Sequence, residues 1–456
     1  MRNPAQGPPE PGGARFVAGS RDHRLYNLLL LPVLLLGAPL LVPWALLSAR
    51  RRRNFSDRLG AKLGRLPLPT GRERVWIHAV SVGETLSAAP LVRLLRARRP
   101  DAELFVSTVT LTGQETAAKT LGGAADARFY FPFDLPWVCA NFLERVRPDV
   151  VVILETEIWP NFIAACARRE IPVVVLNARI SERSFRGYGR LGFFFSKVLR
   201  SVSAFSAQTE VDARRLVALG ADPSSVAVAG NMKFDVAPPH EDASPFRAWL
   251  LEEKAQGAAW FVAGSTHEGE DGEVLRALRA ARDVNGSIRL LLAPRHPERF
   301  DAVAELCARE GFETARRTRL DLARPAPPSP VILLDTVGEL LAAYGAADIA
   351  FVGGSLVAKG GHNILEPALY GVPTIVGPHM ENFREIAGIF TSGGAVRQVR
   401  NGPELAAELS RWATDPRPYA ETGRRASELL AAFRGATGRN AAIVERELAR
   451  RRGGIG

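Results

Sequence analysis

Cysteine is scarce in this chain: Cys139, Cys166 and Cys307 are the only three in 456 residues, and they stand far apart. That spacing excludes a disulfide-stapled scaffold and a cysteine-based zinc cluster, and it suits a reducing compartment. Lysine is nearly as rare, with Lys62, Lys119, Lys197, Lys233, Lys254 and Lys359 the whole set. Arginine supplies the remaining positive charge. A lysine inside a motif is therefore informative, because a compact ammonium and a planar guanidinium suit different partners. Several signatures are missing as well. No G-x-x-x-x-G-K-[ST] phosphate loop occurs, no G-x-G-x-x-G fingerprint follows the first strand of either half, and no H-E-x-x-H or H-x-x-x-H spacing is present. The histidines His78, His267, His296, His362 and His379 are scattered, so the spacing supports no metal site. No short-period repeat is present, which excludes a solenoid.

What is there reads as globular protein. Hydrophobic residues make up 46% and charged residues 23%, which is ordinary for packed domains. Basic residues number 59 against 48 acidic, a net charge of +11 that proposes nucleic acid, an anionic membrane or an acidic substrate as partner. The arginines are dispersed and form no recognised module, which disfavours nucleic acid. Residues 1–24 read as a disordered polar tail rich in Gly and Pro. Leu28 to Leu47 then run without a charge, and about 20 apolar residues suffice to cross the hydrocarbon core. Pro32, Pro39 and Pro43 predict kinks, and Arg50 to Arg53 follow at once as a stop-transfer pattern. The expectation is a transmembrane anchor over residues 25–49 with everything after it in the cytoplasm. A kinked interfacial helix is the alternative.

From Val75 onward, short apolar runs alternate with helical patterns. Strands are expected at Val75–Val80, Leu104–Val106, Val150–Leu154, Val173–Leu176, Ala204–Ala207 and Val226–Ala229. After a linker at Val236–Ser244 they are expected at Trp260–Ala263, Arg289–Ala293, Val331–Leu334, Ile349–Val352 and Thr374–Val376. Near-continuous Val/Ile/Leu strands separated by helices predict parallel sheets covered on both faces. The economical reading is an α/β protein with two Rossmann-like doubly wound domains, residues 50–238 and 239–456, the second including the closing helices. Ligands of open α/β sheets bind beyond the carboxyl ends of the strands, here in an expected inter-domain cleft.

Polar clusters sit at those strand ends. Ser81 to Glu84 has the form of a capping box, and the same form recurs at Ser265–Glu268, Thr336–Glu339 and Asn363–Glu366. Capping alone accounts for any one of these glutamates. The functional alternative is that helix N-termini facing a ligand offer free N–H groups to phosphate or carboxylate. Glu155 and Glu157, in LETEIWPN, follow a buried strand and would share a face if the strand extends. Two close carboxylates also raise one pKa, as a general acid or base needs. Pairing with Arg179 or Arg183 is the structural alternative. Thr108 to Gly113 adds hydroxyls and a flexible backbone. Lys233, in GNMKFD, either points a compact charge at the ligand or pairs with Asp235. Arg295 and His296 suit a phosphate, and Gly353 to Asn363 is a glycine-rich loop suited to cradle an anion.

Taken together, WIHAVSVGE, ETEIWPN, NARISERS, GNMKFD, STHEGE, PRHPERF, GEL and FVGGSLVAKGGHNILEP resemble the lipid A Kdo (3-deoxy-D-manno-octulosonic acid) transferases of Gram-negative bacteria. They run in one order from Trp76 to Phe383. The resemblance implies a GT-B glycosyltransferase with an acceptor-binding first domain and a nucleotide-sugar-binding second domain. It implies transfer of Kdo from CMP-Kdo to the tetraacyl lipid A precursor (lipid IVA) at the cytoplasmic face of the inner membrane, with no cofactor and no metal. Glu84 then resembles the general base, and Glu155 and Lys233 resemble groups that stabilise the transition state. Arg295, His296, the turn Val337, Gly338 and Glu339, and Asn363, Ile364, Leu365 and Glu366 resemble the CMP-sugar site. Val337 stands where Met is common and Ile364 where Pro is often found. The competing functions are another nucleotide-sugar enzyme of this fold, such as a hexosamine 2-epimerase, and a non-catalytic membrane-tethered binding protein.

Overall fold

Strands that are apolar on every residue must be covered on both faces, and the chain satisfies this with two parallel sheets. The computed structural model describes residues 48–235, 244–325 and 327–453, together with 23–28, 30, 32, 36 and 39. The chain divides into two compact units, Met1–Asp235 with Arg434–Gly456, and Val236–Phe433.

The first unit holds β1 (Arg74–His78), β2 (Glu103–Thr108), β3 (Ala127–Tyr130), β4 (Val150–Leu154), β5 (Val173–Ala178), β6 (Ala204–Ala207) and β7 (Val226–Val228), in the order β3-β2-β1-β4-β5-β6-β7. Period-2 alternation sorts the side chains: Trp76, Phe105 and Ile153 pack on one face, Val75, Ile77, Leu104 and Val152 on the other. The second unit is another seven-stranded parallel sheet, of β8 (Ala259–Thr266), β9 (Ile288–Pro294), β10 (Thr314–Arg316), β11 (Val331–Leu333), β12 (Ile349–Val352), β13 (Thr374–Val376) and β14 (Arg397–Gln398), in the order β10-β11-β9-β8-β12-β13-β14, which differs from the first by the insertion of β11 between β10 and β9. Phe261, Ala263, Leu290 and Leu292 face one layer, and Trp260, Val262 and Leu291 the other.

Every expected strand is present. Those not expected, β3, β10 and β14, are edge strands or short outer strands with half-exposed residues, so no apolar run marks them. The expected second domain needs correcting at its end. The closing helix Ala436–Gly453 belongs to the first unit, where Ala441, Val444 and Leu448 join the core on the Val75–Ile77 face beside the helix Val82–Arg98. The expected anchor at 25–49 falls mostly outside the described residues. Among the described residues no helix is long and apolar enough to cross a membrane.

Asp235 holds the returning helix in place. Its carboxylate accepts the Gly435 N–H at 2.6 Å and the Thr437 N–H as well, satisfying donors that the first helical turn leaves free. The alternative pairing of Asp235 with Lys233 is therefore not the one formed. Asp235→Ala should lower stability by about 1 kcal/mol, and Asp235→Asn, which keeps an acceptor, by less. Urea unfolding followed by circular dichroism measures both, and equal effects of the two changes would contradict the capping role.

Candidate functional site

In the first unit the strand order reverses between β1 and β4, the switch point where doubly wound sheets open a crevice for ligands. β1 leads through Ala79–Ser81 into the helix Val82–Arg98. Ser81 is its N-cap, accepting the Glu84 N–H at 3.4 Å. The Glu84 carboxylate returns to accept the Val80 N–H at 2.7 Å and the Ser81 hydroxyl at 2.9 Å, a variant of the expected capping box that reaches the N–H before the N-cap instead of the N-cap's own. Capping is not the whole of its chemistry. Glu84 is only 7% exposed. Burial pushes its carboxyl up to about 7, with the charges of Glu155 and Glu157 adding to the rise and the Val80 and Ser81 hydrogen bonds opposing it.

β4 stops at Leu154 and does not extend, so Glu155 and Glu157 do not share a strand face as expected. Glu155 turns the chain in the left-handed region at φ 59°. A non-glycine residue there is strained, and such strain concentrates at functional sites. Glu155 pairs with Lys233, Nζ to Oε1 3.3 Å. The neighbouring Thr156 hydroxyl meets the Arg179 backbone. Glu157 is raised by burial first and by Glu155 second.

Lys233 lies on a short turn, Met232–Phe234, held by a buried chain of amides that sequence reading did not single out. The Asn231 Oδ1 accepts the Lys233 N–H at 2.9 Å, and its Nδ2 donates to Gln208 Oε1 at 3.0 Å. Gln208 Nε2 donates to the Asn177 carbonyl at 2.9 Å, and Asn177 Oδ1 accepts the Met232 N–H at 3.0 Å. Asn177 is fully buried and left-handed, φ 56°, a conformation asparagine tolerates better than most residues. A buried asparagine ending a hydrophobic strand, as in VVVLNA, is the signal that marks this position.

In the second unit the switch lies between β8 and β12. The glycine-rich loop after β12 does cradle an anion, and the anion is the protein's own. Fully buried Glu270 accepts N–H groups from His267 at 2.9 Å, Gly354 at 2.7 Å, Ser355 at 3.0 Å and Leu356 at 2.9 Å. The expected capping box at Ser265–Glu268 is replaced by this arrangement: Glu268 is exposed and the helix starts later, at Asp271. Gly354, at φ 66°, lies against both the His267 and the His362 ring, where a β-carbon would crowd them.

Three histidines that the spacing left scattered converge here. His267 and His362 meet Nε2 to Nε2 at 2.8 Å, and the His296 ring is 5.2 Å from that of His267. Arg295 follows β9, its N–H donating to the Thr266 carbonyl at 3.0 Å, and both Arg295 and His296 are exposed. Val337 is 83% exposed and Gly338 left-handed at φ 96°, while Glu339 pairs with Arg317 at 2.7 Å instead of capping its helix. Asn363 accepts the Leu365 N–H at 3.1 Å and donates to Glu366 Oε1 at 3.1 Å. Ile364 and Leu365 have buried side chains, so only their backbone remains to address a ligand. Burial raises Glu366, with Asn363 and Arg295 opposing. Among the described residues no group of three or more His, Cys, Asp or Glu is arranged to hold a metal ion.

Removing the Glu270 carboxylate leaves several buried N–H groups without a partner, each costing about 1–3 kcal/mol. Glu270→Ala should therefore lose at least about 3 kcal/mol in urea unfolding. Wild-type stability in that variant would show that the cradle does not depend on the carboxylate.

Comparison with known proteins gives the family. Residues 54–236 match the family described as 3-deoxy-D-manno-octulosonic-acid transferase (kdotransferase). A 3-deoxy-D-manno-octulosonic acid transferase of Haemophilus influenzae is 37% identical over 374 residues, 81% of this chain and 86% of that protein. One from Bordetella pertussis is 35% identical over 423 residues, 90% of this chain and 96% of that protein. Among solved structures, a UDP-GlcNAc 2-epimerase from Neisseria meningitidis aligns with a TM-score of 0.53 at 14% identity, over 83% of this chain and 100% of that one, a likeness of fold that makes the two α/β units GT-B-like. With matches of this extent to two curated relatives, the chain belongs to the 3-deoxy-D-manno-octulosonic acid transferase family.

Proposed function

We propose that the protein transfers Kdo from CMP-Kdo to a lipid A precursor of the tetraacyl type, with Glu84 as general base. The observation that carries this reading is the Glu84 carboxyl itself, pushed up to about 7 at the switch point of the first unit beside the Glu155–Lys233 pair. A base is most effective when its pKa lies near the working pH. Glu84 takes the proton of the acceptor sugar hydroxyl as that oxygen bonds to the anomeric carbon of Kdo. The bond from that carbon to the nucleotide phosphate breaks, and its electron pair leaves on the phosphate oxygen. Lys233, steadied by Glu155, offers a compact positive charge to the negative charge that develops during transfer. Arg295 and His296 address the phosphate of the donor, with the Val337–Glu339 turn and Asn363–Glu366 beside it. In this reading side chains supply the cations, and neither a metal nor an organic cofactor takes part. The acceptor's lipid character is supported by the uncharged run Leu28–Leu47 and the arginines at 50–53, which suit an anchor at the cytoplasmic face of the inner membrane. Family membership favours transfer over 2-epimerisation or mere binding.

Incubation of the purified protein with CMP-Kdo and the tetraacyl precursor should give a product heavier by one or more Kdo residues in mass spectrometry. No product while CMP-Kdo stays intact would sink the reading. Glu84→Gln should lower kcat by about 10²–10⁴-fold while CMP-Kdo still binds. The base must be ionised to accept a proton, so kcat/KM should fall as pH drops through about 7. Glu157→Gln removes a like charge that raises Glu84, so that limb should move to lower pH. An unmoved limb would assign the titration to another group.

A further inference from the structure

The His267–His362 contact has a property that phosphate recognition by Arg295 and His296 does not use. Two ring nitrogens 2.8 Å apart need one proton between them, one ring donating and the other offering its lone pair. A second proton on that contact would set two N–H groups against each other. The rings are nearly parallel, 2° apart, and their positions are fixed from both sides: His267 at the end of β8 and His362 in the loop after β12, each against Gly354.

Arg295, Arg299 and Lys359 are positive and His296 stands beside them, and all four bear on one or both rings. The nearby carboxylates are engaged elsewhere: Glu270 in the amide cradle, Asp271 by Arg299 and the Thr266 hydroxyl, and Glu366 by the Asn363 amide. Glu298, 3.8 Å from His296 Nδ1, is well exposed. Burial, then this cationic surround, lowers both imidazoles, His362 to about 4. Without a bound anion the pair is neutral near pH 7. An anion placed among the same cations cancels the field that keeps a further proton off the pair; that proton goes to an Nδ1 atom, away from the contact, and the ring that gains it donates its Nε2–H to the lone pair of the other in a charge-assisted hydrogen bond.

We infer that the His267–His362 pair is a proton-uptake site, taking on one proton when an anionic nucleotide phosphate settles among Arg295, His296 and Lys359. This inference rests on the nucleotide-donor reading of the second unit and adds to it a linkage: affinity for the nucleotide falls as pH rises, because each binding event must also draw a proton from solution.

Titration calorimetry of CMP into the full-length protein, near pH 7 in buffers of different ionisation enthalpy, counts that proton. About one proton should be taken up per CMP bound, and affinity should fall by up to about tenfold per pH unit above neutrality. His362→Gln places a hydrogen-bonding but non-titrating group at the same point, so uptake should vanish and the pH dependence flatten. His267→Asn should do the same, and His296→Gln should keep the uptake. CMP binding to the wild-type protein with no proton uptake overturns the inference and leaves the donor reading standing. Uptake that survives in His362→Gln, or is lost in His296→Gln, overturns it equally. Failure of CMP to bind at any pH removes the donor reading and this inference together.

Discussion

Glu84, Glu155 and Glu157 stand close enough at the carboxyl ends of β1 and β4 that the charge on one makes charging the next more costly. The rest of the first site offsets that crowding. Glu84 is steadied by the Val80 N–H, the Ser81 hydroxyl and the positive end of its own helix, and Glu155 by the Lys233 ammonium. The amides of Asn177, Gln208 and Asn231 fix the turn that carries Lys233. Burial, with the remaining crowding added to it, appears as a raised carboxyl on Glu84, a group with a reason to take a proton near neutral pH.

The second unit is also a seven-stranded parallel sheet, with β11 inserted between β10 and β9, and its switch point carries the opposite electrostatics. Its switch-point loop is saturated by the buried Glu270 carboxylate, and the surrounding Arg295, Arg299 and Lys359 leave a positive face. One unit thus gathers carboxylates at its switch point, and the other gathers cations and imidazoles. Neither result follows from the fold, because parallel sheets of this kind host many chemistries. It follows from which polar residues end the strands.

Much of this was legible in the sequence where burial leaves an unbroken apolar run. All central strands could be read that way, and the Ser81 cap could be read from its spacing to Glu84. The outer strands β3, β10 and β14 were not, because half-exposed strands carry no such run. The return of Ala436–Gly453 to the first unit was missed since nothing local says which sheet an amphipathic helix will cover. Glu270 and the His267–His362 pair depend on contacts between residues separated by 84 to 95 positions, which spacing rules tuned to helices and turns cannot see. The left-handed backbone at Glu155 likewise ended a strand that its composition allowed to continue.

The central claim is that Glu84 is a carboxyl poised near neutrality by burial and by two like charges. A carboxyl-carbon NMR titration of the protein labelled at glutamate, with Glu84 assigned by its Gln variant, reads this directly. The account predicts a midpoint near 7 for that resonance, shifting to lower pH when Glu157 is replaced by Gln. A midpoint in the ordinary carboxylate range, unmoved by that replacement, would contradict it.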